Sequence, residues 1–239
     1  MIVVVMNFSG NVGKSTVAKH LLLPRMPRAD VFVVESINSD DQADAAHLRG
    51  KQFGDLMAKL SACEDAIIDV GASNVEDFVT CMKQYQASHQ MFDLFVIPTV
   101  PDLKPMTDTL STIAVLAAVG VPEDHIQVVM NRLPLDAEAT TAFAQIFQAC
   151  ADIKTFRVDP AAVIHENELF AVLRSDALTV AEVAGIDRQQ MKVAIRKTDD
   201  RAVKGALGRQ VAASFLACGV SDELDRVFDA VCRNEHEHG

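Results

Sequence analysis

The apolar run Ile2-Val3-Val4-Val5-Met6 leads almost directly into Ser9-Gly10-Asn11-Val12-Gly13-Lys14-Ser15-Thr16, and this pairing constrains the chain more than any other feature. An apolar run, a glycine-containing loop and a helix-forming stretch read as strand, loop and helix. Several backbone N–H groups and the positive end of the helix dipole converge at such a junction, which is where polyphosphate can be held. Lys14 is placed to reach terminal phosphates, Ser15 to ligate Mg²⁺, and Gly10 and Gly13 to let the backbone approach closely. A glycine-rich turn that merely links strand to helix is the alternative. Both flanks that a phosphate loop requires are present, which disfavours it.

The loop departs from the general pattern G-x-x-x-x-G-K-[ST], which would want Gly where Phe8 stands. It fits the deviant form K-G-G-x-G-K-[ST] at most positions, with Ser9 in place of the first Lys and Asn11 in place of the second Gly.

Farther along, strand-like apolar runs alternate with helix-like stretches. The strands expected after the first are Val31 to Val34, Ala66 to Ile68, Leu94 to Ile97, Ile126 to Met130 and a weaker Thr155 to Val158. Helices are expected over Lys14 to Leu23, Leu48 to Leu60, Val75 to Tyr85, Lys104 to Val119 and Ala137 to Ala149. Continuous apolar strands with crossover helices imply a mainly parallel sheet covered on both faces, a three-layer α/β fold, and the phosphate loop after its first strand makes the expected fold a P-loop NTPase. Ligands then sit beyond the C-terminal ends of the strands.

Two of those ends carry suggestive side chains. The third strand runs into Asp69-Val70-Gly71, and an Asp there can hold Mg²⁺ through water, or simply cap the next segment. The fifth runs into Asn131-Arg132, where the amide could bond the edge of a purine, or form a turn before Pro134.

Composition agrees with this class. The 239 residues are 49% hydrophobic, enough for one sizeable core with nothing forcing a second independent domain. The expected organisation is a nucleotide-binding core over about 1–160 and a helical region over about 161–239. The apolar runs fall well short of the roughly 20 residues that a membrane span needs. The N-terminus lacks a basic flank and a cleavable signal, so a cytoplasmic location is expected. Cys63, Cys81, Cys150, Cys218 and Cys232 are scattered and read as buried thiols.

With these residues in view, the chain resembles the ParA/MinD superfamily of deviant Walker-A ATPases over about its first 160 residues. It does so through the loop, the strand-end Asp69, a proline after strand four at Pro98, and Asn131-Arg132. Within that group Asn7 to Thr16 and Val34-Glu35-Ser36-Ile37-Asn38 look like motifs of the StbB proteins of plasmid stability and conjugation. The resemblance implies an ATP-dependent switch acting with a plasmid-encoded DNA-binding partner of the StbA kind, and a homodimer formed on ATP. It places phosphate on Gly10, Asn11, Val12, Gly13, Lys14, Ser15 and Thr16, the metal on Ser15 and Asp69, and the adenine on Asn131.

The departures matter too. In the superfamily the first loop Lys reaches across the dimer, and Ser9 carries no charge. The second Asp of D-x-D after strand two orients the attacking water, and Ile37 stands there; Asp40 or Asp41 could substitute, or be solvated turn acids. Such sites work by positioning and charge neutralisation, and one lost donor costs about 10²–10³ in comparable sites, so slow or partner-stimulated turnover is expected.

The last third is more helical, with expected helices over Val163 to Arg174, Val180 to Gly185, Arg188 to Arg196, Val203 to Ala217 and Ser221 to Arg233. In a chain of net charge −11, the stretch from Arg188 to Arg209 holds seven basic residues against Asp199 and Asp200. Arg188, Lys192 and Arg196 would form one ridge able to meet a phosphate backbone weakly and without sequence preference, or a solvated face. In the last helix Leu224, Val227, Phe228 and Val231 share a face expected to pack on the core or a second subunit. His236 and His238 read as a frayed tail.

Two rival functions remain open. One is a small-molecule kinase or ATP-dependent ligase of the dethiobiotin-synthetase type. The other is a nucleotide-binding adaptor that never hydrolyses. ATP is preferred over GTP because no [NT]-K-x-D base-reading motif appears; Asn131-Arg132-Leu133-Pro134 lacks both Lys and Asp.

Overall fold

The computed structural model describes residues 1–34, 45–176 and 178–232. Its centre is one sheet of six strands, β1 (Ile2–Val5), β2 (Ala29–Val34), β3 (Asp65–Val70), β4 (Leu94–Thr99), β5 (Ile126–Leu133) and β6 (Arg157–His165), in the order β2-β3-β1-β4-β5-β6. Every neighbouring pair is parallel. Parallel pairing requires crossovers, which the helices supply. They are α1 (Lys14–Thr16), α2 (Ala45–Leu60), α3 (Val75–Gln84), α4 (Leu103–Ala118), α5 (Ala139–Ala142), α6 (Ala144–Ile153), α7 (Leu169–Asp176), α8 (Val180–Ala184), α9 (Arg188–Lys197) and α10 (Arg201–Cys232).

The strands are apolar at nearly every position because both faces are buried. Successive side chains alternate between faces, so Val4 and Met6 join Ile68, Phe95 and Ile97 in one cluster, while Val3 and Val5 join Ile67 and Val96 in another. The first cluster is closed by Phe78 of α3 and Ile113 of α4, and the second by Leu169, Val183, Leu224 and Val227 of the C-terminal helices. Leu224, Val227 and Val231 are buried there, with Phe228 packed against them.

Several elements differ from the sequence expectation. The helix after the loop is α1 for one turn, then a wide π-type segment over Val17–Leu22 and a 3-10 turn over Leu23–Arg25. The expected helix from Ala137 is two pieces, α5 and α6. The expected helix from Val163 is displaced: Val163, Ile164 and His165 belong to β6, and α7 starts at Leu169. Pro160 does not end β6, because among the described residues β6 is an edge strand paired with β5 alone, and the register skips between Val128 and Met130. The two expected C-terminal helices are one, α10, running through Gly219. Of the cysteines Cys81 is buried, and the other four are partly buried.

Pro98 and Asn131-Arg132 lie within β4 and β5 rather than after them. Val96 accepts from Met6 N–H, so even-numbered positions of β4 face β1, whose ladder ends with Val5 opposite Val96. The N–H that Pro98 lacks would fall just past that ladder, so a proline there sacrifices no pairing bond. Among the described residues, no helix is long and apolar enough to cross a membrane.

Candidate functional site

The loop between β1 and α1 sits at the C-terminal edge of the central strand, flanked by β3 and β4. Two of its residues, Asn11 (φ 59°) and Gly13 (φ 94°), adopt left-handed backbone. Asn tolerates that region better than most side chains, which explains how Asn11 replaces a glycine. Gly13 has no substitute, since a Cβ there would collide with the Asn131 side-chain amide. A Cβ on Gly10 would meet nothing within 4 Å, so the opposite end of the loop is open.

Lys14 is 9% exposed. Its Nζ donates to the Ser9 carbonyl at 2.8 Å and to the Asn7 carbonyl at 3.2 Å, folding the ammonium back over the loop. Burial pushes its pKa below the usual lysine range, and the Asp69 carboxylate draws it partly back up. Asp69 is buried near the end of β3, in register with Val5 at the end of β1, so the sheet brings this acid beside the loop. Ser15 is exposed at the start of α1. The first N–H groups of a helix have no intrahelical acceptor, so α1 supplies donors at the same place.

Asn131 takes a role that the sequence did not suggest. It is 3% exposed, and its Nδ2 donates to the Val12 carbonyl at 2.8 Å while its Oδ1 accepts from Arg132 N–H at 2.9 Å. Arg132 itself is left-handed, φ 55°, at a register irregularity of β5. The amide braces the loop across 119 residues of sequence.

Sequence reasoning missed the groups on α4. Asn7 Nδ2 donates to Thr109 Oγ1 at 2.7 Å and to the Pro98 carbonyl at 2.9 Å, and Phe8 N–H donates to Thr112 Oγ1 at 3.1 Å. The signal available was a pair of threonines three apart on a helix otherwise apolar on that face. Asp40, Asp41 and the Glu35-Ser36-Ile37 segment lie outside the described residues, as do His236 and His238.

The donor set fits a magnesium nucleotide. Among the described residues there is no cluster of three or more His, Cys, Asp or Glu side chains arranged for a metal. Mg²⁺ suits a site of one hydroxyl and one carboxylate, because it keeps waters and takes phosphate oxygens as its other ligands.

No protein-family model matches the chain, and no curated protein matches it. Solved structures do. Apo McdA from Cyanothece aligns with a TM-score of 0.54 at 15% identity, covering 91% of this chain and 99% of that one. The fold is shared with McdA. A complex of ATP with a single-substitution variant of Cyanothece McdA aligns with a TM-score of 0.51 at 14% identity, over 92% of this chain and 96% of that one. MinD from Pyrococcus horikoshii, complexed with Mg-ADP, aligns at 0.49 and 14% identity, over 92% of this chain and 98% of that one. What the McdA likeness establishes is the architecture: a parallel six-stranded sheet between helical layers.

Proposed function

We propose that this protein is an ATP- and Mg²⁺-binding switch of the ParA/MinD kind, with slow or partner-stimulated hydrolysis, acting in plasmid stability, positioning or conjugative transfer. The observation that carries the reading is the buried Lys14 ammonium, held by two backbone carbonyls inside a loop whose conformation requires Gly13. A buried ammonium resting on neutral carbonyls is costly in a purely structural role. It fits a group that exchanges weak carbonyl partners for phosphate oxygens. The ATP complex of the fold relative McdA supports the same choice of nucleotide.

Lys14 swings from the Asn7 and Ser9 carbonyls to the terminal phosphates, and the loop amides from Gly10 to Thr16 with the start of α1 cradle the remaining oxygens. The Ser15 hydroxyl and Asp69 would hold Mg²⁺, which would neutralise phosphate charge when bound. Asp40 is the candidate for orienting the attacking water. Asn131 braces the loop in this scheme and is not assigned to the base. With an uncharged Ser9, dimerisation on ATP lacks the cross-subunit lysine of the deviant loop and rests on other contacts.

The partner is a DNA-binding protein of the StbA kind, following the loop and second-strand motifs. A weak contact with DNA through 188–209 is a further part of this reading, supported by the placement of Lys192, Arg196, Lys197 and Arg201 on α9 and at the start of α10. Arg188 contributes less, because it stacks over the Phe215 ring, 5.0 Å from guanidinium to centroid.

Calorimetry with ATP and GTP in the presence of Mg²⁺, followed by phosphate release over hours with and without plasmid DNA, tests this function. Tight ATP binding with release near background supports the switch. Prompt release without DNA or partner favours the kinase or ligase reading, and binding of neither nucleotide overturns the assignment.

A further inference from the structure

Two consecutive residues at the start of the phosphate loop are tied to one helix. Asn7 Nδ2 donates to Thr109 Oγ1 at 2.7 Å, and Phe8 N–H donates to Thr112 Oγ1 at 3.1 Å. The geometry is closed on both sides. Thr109 Oγ1 donates to the Pro105 carbonyl and Thr112 Oγ1 to the Asp108 carbonyl, each at 2.8 Å, so both hydroxyls turn acceptor lone pairs toward the loop. Asn7 Nδ2 also meets the Pro98 carbonyl at 2.9 Å, and Asn7 Oδ1 accepts Ser9 N–H at 2.8 Å. The amide therefore has one workable orientation, with both donors on acceptors and its acceptor on a donor. Asn7, Thr109 and Thr112 are all fully buried, so each bond is made away from water, where an unmade partner is expensive.

The two carbonyls that hold Lys14 belong to Asn7 and Ser9, the residues this network fixes. We propose that Asn7, supported by Thr109 and Thr112 of α4, is a positioning residue for the phosphate loop: it sets the Asn7 and Ser9 carbonyls as the resting perch of Lys14 and keeps the loop in its ligand-ready shape. The inference rests on the phosphate-loop reading above and adds to it the element that governs the loop. Loop order is supplied within the chain, and ordering that is already present need not be gained on binding.

The test uses Thr109→Val, Thr109→Ser and Thr112→Val in the full chain, with Mg-ATP affinity, adenosine affinity and the ligand-free thermal midpoint measured on each. Thr109→Val and Thr112→Val are expected to weaken Mg-ATP by about fivefold to tenfold, the range of one lost hydrogen bond. Adenosine affinity stays unchanged, and Thr109→Ser restores Mg-ATP affinity to within about twofold of the parent. Should Thr109→Val fail to fold, Thr112→Val carries the test, because it leaves the Asn7–Thr109 bond in place. Parent-like Mg-ATP affinity in the folded valine variants overturns the inference, as does a loss that Thr109→Ser does not rescue. Lys14→Ala separates this result from the underlying reading. If it binds Mg-ATP as the parent does, the loop is not the nucleotide site; if it loses Mg-ATP while the valine variants keep it, the positioning role alone is wrong.

Discussion

The Asn131 side chain fills the space beside Gly13 where any larger residue would carry its Cβ, and from there its Nδ2 donates to the carbonyl of Val12 at 2.8 Å. β5 thereby locks the loop that follows β1. Gly13→Ala meets this side chain and must also hold φ 94°, so it combines a collision with backbone strain. A loss of about 2–4 kcal/mol in unfolding free energy is expected, with Mg-ATP binding abolished. Denaturant titration and calorimetry check it. Gly13→Ala combined with Asn131→Gly should recover only the part due to collision.

Asn131→Ala distinguishes loop bracing from base recognition. A brace acts on everything the loop holds, so tripolyphosphate and ATP should weaken by the same factor, about tenfold. An ATP loss with tripolyphosphate unchanged would instead place the amide on the base.

Removing the Lys14 amine should separate binding from stability. Lys14→Met keeps the stem and deletes a buried charge whose pKa burial has lowered. Mg-ATP affinity should fall by at least about 100-fold, the scale of lost charge-assisted phosphate bonds. The thermal midpoint of the ligand-free protein should hold or rise, since the desolvated ammonium no longer opposes folding. A fall of several degrees would show that the perch on Asn7 and Ser9 is itself a stabilising contact.

His20 gives the fold an acid-sensitive component. It is 6% exposed, 5.9 Å from the Phe170 ring between centroids, and its Nδ1 has no hydrogen-bond partner among the described residues. Burial first, and the Lys19 charge second, lower its pKa from 6.5 to about 4. Between those values the unfolded chain binds a proton that the folded chain does not. Stability is therefore full above about pH 6.5, falls as pH drops, and levels below about pH 4, with up to about 3 kcal/mol lost. His20→Phe should remove this part of the slope when urea midpoints are compared across pH 4 to 7; an unchanged slope would assign it to carboxylates elsewhere.

Charge reversal at Lys192, Arg196 and Lys197 tests the α9 surface. Association with plasmid DNA should weaken, and the slope of log affinity on log salt should fall by about one per lost phosphate contact. Arg188→Glu should matter less for DNA and more for the α9–α10 contact, because Arg188 lies over Phe215 and donates to Cys218 Sγ. No change in DNA association would make the basic stretch a solvated face.

The strand-loop-helix junction, the parallel sheet and the crossover helices were legible because each is written locally. Apolar runs buried on both faces, glycines before a lysine, and helical periodicity are short-range patterns. Limits of elements were less legible where neighbours decided them. Pro98 looks like the end of a strand until β1 is seen to stop opposite Val96; Pro160 looks like a breaker until β6 proves to be an edge. Gly219 looks like a gap between helices, yet Ala217, Val220 and Leu224 are buried in one cluster on either side of it. Packing outweighs the modest helix cost of a single glycine.

The sequence by itself determined the kind of fold and the loop at its centre, since both depend on residues adjacent in the chain. Only the tertiary structure decided which distant groups govern that loop. Asn7 and Thr109 are 102 residues apart, and Asn131 and Val12 are 119. No local pattern marks them as partners, because Asn7, Thr109 and Asn131 are ordinary polar residues until burial between β1, β4, β5 and α4 takes away water and leaves them to hydrogen-bond around the loop.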